Sequence, residues 1–525
     1  MFETVREWMA GPMAGKTMLF LRGSFFVCFA IAAALLLLPG RDTLRRGASG
    51  SGRRLLALVS ALGFLAIAGF QMRWQIFGAT NPDLMRFVRR HNARPGVDVR
   101  RGSILDRNGS VLAIDGEGGV RRQPLGAAAA HVVGYIDPMA GFAGLEKAAD
   151  AALSGVATSP IAELERMGKG IVTTKPVEGG DVRVTLDARL QRFAYGALEG
   201  RRGAAVALNP DTGEIYALAS APSFDPIHPN ERPAGADAPF LNRALQGKYP
   251  PGSTFKVAMA LMAADMRIAP VLDCPASGYR AEGESRPIRD SEYYIYKREG
   301  RQWRGFGKIG LHAALVHSSN VYFAQLARRI PVDSFNGYVS LFGINEGQTL
   351  FGDGKTALRA APGSVPVLGA KDAKSMMQLA IGQGRMMVSP LNVAMWTAVA
   401  ANGGVSVAPT LDPSLPQIGA RHRVVSGTTA GNIAAMMRDA VKSGTGRGAD
   451  IPGLDVCGKT GTAQNPRGAD HAWFTCFSAA TEPRLVVTVL VENAGYGSKS
   501  AVPIARKILE EAVRIGLVRT KEGAK

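Results

Sequence analysis

The larger part of this sequence predicts an α/β fold of the α+β kind, with one antiparallel sheet flanked by helices. Three observations carry that expectation. Two strand-like stretches, 204–209 and 214–219, are joined by the turn Pro210-Asp211-Thr212-Gly213. Two more, 473–478 and 485–492, lie near the other end of the chain and connect through Glu482-Pro483. Helical periodicity appears over 190–198, and a final helix is expected over 502–515. Strands at both ends of a unit, with helices between and after them, close into one sheet with helices packed on it.

The chain has 525 residues, too many for one hydrophobic core. Its hydrophobic content of 46% and charged content of 20% describe folded, globular material. The formal net charge of +19 asks for an anionic neighbour, either lipid, wall polymer or nucleic acid. No zinc-finger spacing, basic coiled coil or RNA-binding signature accompanies the charge, so nucleic acid is set aside. Arginines crowd the apolar N-terminal segments, which favours lipid headgroups.

Cys28, Cys274, Cys457 and Cys476 are too few and too scattered for a disulfide scaffold or a zinc site. Buried thiols are the default for them. A bridge between Cys457 and Cys476, if they stand on adjacent strands, is the alternative. The seven histidines have no metal-ligand spacing, so no metal and no cofactor is expected.

Residues 1–17 read as a short tail. Two apolar segments, 18–38 and 55–72, are each about long enough to span a bilayer. The link at 39–54 carries Arg41, Arg45, Arg46, Arg53 and Arg54 against only Asp42, which places it in the cytoplasm. The chain after residue 72 is then extracytoplasmic. Residues 80–185 are Gly-rich and read as a small α+β module. Within it, 100–113 looks like a strand, an Asn108-Gly109 turn and a returning strand. A larger unit is expected over 186–520.

Three short stretches of that unit carry chemistry. The first is Tyr249-Pro250-Pro251-Gly252-Ser253-Thr254-Phe255-Lys256, followed by an apolar run to Ala264. Pro-Pro-Gly cannot be helical, so a buried helix starts at or near Ser253. Ser253 and Lys256 then share one helix face, with the hydroxyl at the helix N-terminus beside an amine. The dipole and burial both disfavour an ammonium there, and a neutral Lys256 can take the proton of Ser253. The second stretch is His317-Ser318-Ser319-Asn320 before another helix, where short polar residues read first as N-caps. The third is Val456-Cys457-Gly458-Lys459-Thr460-Gly461-Thr462, a strand whose glycines let another backbone approach.

Together these stretches resemble the penicillin-binding protein family. Ser-x-x-Lys, Ser-x-Asn and Lys-Thr-Gly stand in the order of that family, whose motif set is known. Asn242-Arg243-Ala244, Ile381-Gly382-Gln383-Gly384, His471-Ala472-Trp473-Phe474 and 101–107 resemble it too. The resemblance implies the penicillin-binding-protein and serine β-lactamase type of fold over 186–520, with 80–185 as a pedestal. It implies a D,D-transpeptidase that cross-links peptidoglycan stem peptides through a serine acyl-enzyme and is acylated by β-lactams. Ser253 would be the nucleophile and Lys256 its base. Ser318 and Lys459 would relay the proton, and Asn320 would hold a substrate amide. Thr460, Gly461 and Thr462 would bind the substrate along the strand. Two lysines in one cleft would lower each other's pKa.

Too few residues precede the large unit for a glycosyltransferase domain, so the monofunctional class B group is implied. Its members act on lipid-linked glycan precursor beside a SEDS-family polymerase, anchored in the inner membrane with the catalytic domain periplasmic. A D,D-carboxypeptidase, a β-lactamase and an idle scaffold of a wall-building complex are the competing readings. The stretch 293–298, Tyr-Tyr-Ile-Tyr-Lys-Arg, reads as a strand with a charged edge.

Overall fold

The structure, a computed structural model, describes residues 99–520 except 117–119, 138–139, 156–176, 236, 282–285, 370–371, 415–421, 467 and 483. The expected tail, both apolar spans and the arginine-rich link lie outside the described residues. Among the described residues no helix is long and apolar enough to cross a membrane.

A five-stranded antiparallel sheet organises the larger unit. Strands β1 (Gly203–Leu208) and β2 (Ile215–Ala221) form a hairpin. Strands β3 (Val456–Ala463), β4 (His471–Ser478) and β5 (Val486–Val491) come from the far end of the sequence. The order is β2-β1-β5-β4-β3, so β5 pairs with β1 and joins the two ends of the unit. β3 is an edge strand.

The period of two decides what each side chain meets. Ala472, Phe474 and Cys476 of β4, with Val487, Val489 and Val491 of β5, face one core. Helices α1 (Ala188–Ala197) and α8 (Gly497–Arg514) cover that face. Trp473, Phe477, Val486 and Leu490 face the other core. Helices α2 (Phe255–Asp265), α6 (Pro390–Ala401) and α7 (Gly427–Lys442) cover it. α2 and α6 are apolar all round because they lie within this core, not on its surface.

Cys457 and Cys476 are free and buried. In the register Cys476 stands opposite Gly458, so the two thiols point to opposite faces of the sheet and cannot bridge. Between the sheet's halves lie α3 (Ser291–Arg298), α4 (Leu311–His317) and α5 (Asn320–Ala327). α3 overturns the strand expected over 293–298. Glu292 stands in its first turn and Lys297 and Arg298 in its last, matching the helix dipole. That charge placement outweighs the strand preference of three tyrosines and an isoleucine.

Ahead of α1, Ile104–Leu105 and Val111–Asp115 pair as an antiparallel hairpin around Asn108-Gly109, in a four-stranded sheet. Asp106 is fully buried; its Oδ1 accepts from the N–H groups of Asn108 and Ser110 at 2.8 and 2.7 Å. Its Oδ2 accepts from the Ala188 N–H at 3.0 Å, which ties this hairpin to the start of α1.

Candidate active site

The serine turn is built by close backbone packing. Pro250 and Pro251 carry the chain into a 3₁₀ turn, Gly252–Thr254, and the α-helix proper begins at Phe255. Gly252 has φ +54°, and its N–H donates to Gly382 O at 2.9 Å. A Cβ on Gly252 would lie 2.6 Å from Thr462 O, and one on Gly461 would lie 2.9 Å from Thr254 Cγ2. Glycine at these two positions therefore lets the serine turn lie directly on the edge strand β3. Ser253 is half-buried there.

Ser318 occupies the junction of α4 and α5. It is the C-cap of α4 and adopts φ +62°, a left-handed conformation uncommon for a residue with a Cβ. The N-cap of α5 is Ser319, whose hydroxyl accepts from Tyr322 N–H at 3.1 Å. The capping role read from the sequence thus belongs to the middle serine, and Ser318 and Asn320 are free for the cleft. Ser319 Oγ also donates to Asp290 Oδ1 at 2.9 Å, and the Val321 N–H donates to the same oxygen at 3.0 Å. Asn320 Nδ2 donates to Arg289 O at 3.0 Å.

Two lysines converge on this junction. Lys256 Nζ donates to Ser318 O at 2.6 Å and to Asn320 Oδ1 at 2.7 Å, with Ser318 Oγ at 3.4 Å. Lys459 Nζ donates to Ser318 Oγ at 2.7 Å and to Thr460 O at 3.2 Å. The pairing of Lys459 with Thr475 puts its side chain on the α2 face of the sheet, which is why it reaches the lysine helix. Both ammonium groups are fully buried. Burial lowers Lys256 to about 7, opposed by the charges of Asp290 and Glu292. Lys459 is also lowered well below the ordinary lysine value, first by burial and then by the charge of Lys256. Burial is the larger cause for both lysines, and the charge of Lys256 adds to it at Lys459.

Thr460 is buried, with its hydroxyl 2.5 Å from that of Thr445. Thr462 is half-buried beside Gly252. The structure thus brings Ser318, Asn320, Lys256 and Lys459 into one hydrogen-bonded cluster. It places Ser253, Gly461 and Thr462 along the adjoining edge. Sequence reasoning missed Asp290, which anchors the Ser319 cap, and Thr445. Asp290-Ser291-Glu292 carried the signal of a helix start, an acid pair around a small polar residue. Among the described residues no group of three or more potential metal ligands is found.

Fold and cluster define a class: enzymes that acylate a serine with a buried lysine close by, under the edge strand of an antiparallel sheet. A model described as penicillin binding protein transpeptidase domain matches residues 203–510, and the chain belongs to that family. The peptidoglycan D,D-transpeptidase MrdA of Acinetobacter baumannii is 30% identical over 455 residues, 74% of this chain and 65% of that protein. The peptidoglycan D,D-transpeptidase PbpA of Mycobacterium tuberculosis is 31% identical over 430 residues, 73% of this chain and 82% of that protein. This chain thus spans a little under two thirds of the first relative's length. Among solved structures, a ceftriaxone acyl-enzyme complex of M. tuberculosis penicillin-binding protein A superposes with TM-score 0.67 at 29% identity. It covers 79% of this chain and 99% of that one. Pseudomonas aeruginosa PBP2 in complex with WCK 5153 gives 0.65 at 30% identity, covering 79% and 96%.

Proposed function

We propose that this chain is a peptidoglycan D,D-transpeptidase that joins stem peptides through an acyl-enzyme on Ser253. The observation that carries the reading is the meeting of three distant stretches: Lys256 and Lys459 both bond Ser318, while the Ser253 turn lies on the strand of Lys459. Ser253 Oγ attacks the penultimate D-Ala carbonyl, and its proton passes to neutral Lys256. Ser318, held by Lys459, relays a proton to the departing D-Ala amine. The N–H groups of Ser253 and Thr462 face the oxyanion. Asn320 holds a substrate amide and Thr462 meets the terminal carboxylate, while Thr460, on the opposite face from Lys459 with its hydroxyl against Thr445, supports the strand from behind. The substrate backbone adds to the free edge of β3 as a further strand. An amine from a second stem peptide resolves the acyl-enzyme and frees Ser253.

A β-lactam enters the same route and acylates Ser253. The acyl-enzyme complexes of the M. tuberculosis neighbour support this. The apolar segments 18–38 and 55–72 anchor the chain in the inner membrane, and 80–185 serves as a pedestal that holds 186–520 in the periplasm. A SEDS-family polymerase supplies the glycan. These last assignments rest on the arginine-rich link and on the family resemblance.

The deciding experiment supplies the purified chain with polymerised lipid-linked precursor and separates the products. Cross-linked dimers support a transpeptidase; trimmed monomers alone would mean a D,D-carboxypeptidase.

A further inference from the structure

Two sequence stretches that resemble the family, 242–244 and 471–474, have no part in the mechanism above, yet the structure joins them behind the serine turn. Arg243 is buried, 2% exposed, and its Nε donates to Glu492 Oε1 at 2.7 Å. The Tyr249 hydroxyl donates to that same oxygen at 2.7 Å. Arg202 Nε lies 3.5 Å from Glu492 Oε2. The Tyr249 ring stands edge-on to His471 and Trp473, with centroids 5.5 and 6.2 Å away. Trp473 Nε1 donates to Pro250 O at 3.0 Å. The Tyr249 backbone pairs with Val388 in both directions at 2.9 Å.

Tyr249 is four residues ahead of Ser253, and the two intervening prolines fix φ. A displacement at Tyr249 is therefore passed on stiffly. At the far side of the turn Gly252 already lies against Thr462 O with no room for a Cβ. The turn is thus caught between β3 on one side and the Tyr249 anchor on the other. The hydrogen bond from its hydroxyl to the half-buried Glu492 carboxylate adds a directional tie to that packing.

We infer that Glu492, through the Tyr249 hydroxyl, is a positioning residue that sets the Ser253 turn against the edge strand. It touches no reacting atom. Its effect falls on the chemical step and not on the initial encounter, because what it fixes is the backbone that presents the nucleophile and one oxyanion donor. The inference rests on the reading of Ser253 as nucleophile.

The test is stopped-flow acylation by a fluorescent penicillin, resolving the Kd of the encounter complex from the acylation rate constant. Tyr249→Phe keeps the ring and removes one hydrogen bond. Its acylation rate constant is expected to fall about tenfold, with Kd within about twofold of wild type. Its Tm should stay within about two degrees. Glu492→Gln also strips the counter-charge from Arg243 and is expected to lower Tm, so Tyr249→Phe decides. A rate constant within about twofold of wild type, or a loss seen in Kd alone, overturns the inference. A wild-type chain that is never acylated overturns the nucleophile reading instead, so the two failures are told apart.

Discussion

Lys459 donates to the Ser318 hydroxyl across 2.7 Å, although 141 residues separate them in the chain. That bond closes the cleft: it joins the edge strand to the junction of two helices. Ser318 is held in a left-handed conformation to receive it. Strain of this kind, of order 1–3 kcal/mol, persists only where surrounding structure imposes it.

Ser253→Ala should abolish covalent labelling by a fluorescent penicillin on a gel, and leave Tm nearly unchanged because the residue is half-buried and the change is small. Labelling at normal strength would show that another residue is the nucleophile.

The acylation rate should rise with pH through about 7. Lys256 is lowered to about 7 by burial, and its neutral form accepts the proton. The same shift has a sign for stability. The unfolded chain keeps this proton up to the ordinary lysine value of 10.5, while the folded chain releases it near 7. The unfolded state therefore binds more protons between those limits, and stability gains with rising pH across that window. Lys459, also lowered, adds in the same direction. Single-turnover acylation from pH 5 to 9 checks the first statement; an acid limb absent near 7 would contradict it.

Asp290→Ala should cost about 2–3 kcal/mol in urea unfolding, because it leaves two buried donors unmet, Ser319 Oγ and the Val321 N–H. Acylation should drop as well, since that cap sets the position of Ser318 and Asn320. A variant as stable as wild type would mean that the Ser319 cap holds α5 without the aspartate.

Gly461→Ala should slow acylation by about 10–100-fold with a smaller loss of stability. The added methyl would sit 2.9 Å from Thr254 Cγ2 and 3.0 Å from Pro251 O, forcing the serine turn off the strand. Unchanged acylation would show that the turn yields without consequence.

Thiol titration of the native chain should leave Cys457 and Cys476 unmodified, and both should react once the chain is unfolded. Burial pushes the Cys457 thiol up to about 12, and Cys476 is buried deeper. Rapid native labelling of Cys457 would show that β3 opens, and of Cys476 that β4 does.

Much of the fold was legible because it rests on local patterns. Strand-like stretches marked the sheet, Pro210-Asp211-Thr212-Gly213 marked the hairpin, and Pro-Pro-Gly marked the break before α2. Some elements were misread where local signals compete. The tyrosines of 293–298 favour a strand, while the charges at its two ends favour the helix that forms. Ser318, Ser319 and Asn320 stand together at the start of α5, and only the fold shows that Ser319 is the cap.

By itself the sequence determined which residue types this protein has available and at what spacing: a serine and lysine one helical turn apart, a polar helix junction, and a lysine on a glycine-punctuated strand. Spacing along the chain is a local property, so it survives without coordinates. Tertiary structure alone decided that Ser318 receives both lysines, that Asp290 stands behind it, and that Arg243, Tyr249 and Glu492 meet beneath the serine turn. It also set the scale of the lysine shifts. Desolvation depends on what the whole chain packs around a group, and no stretch of sequence carries that information alone.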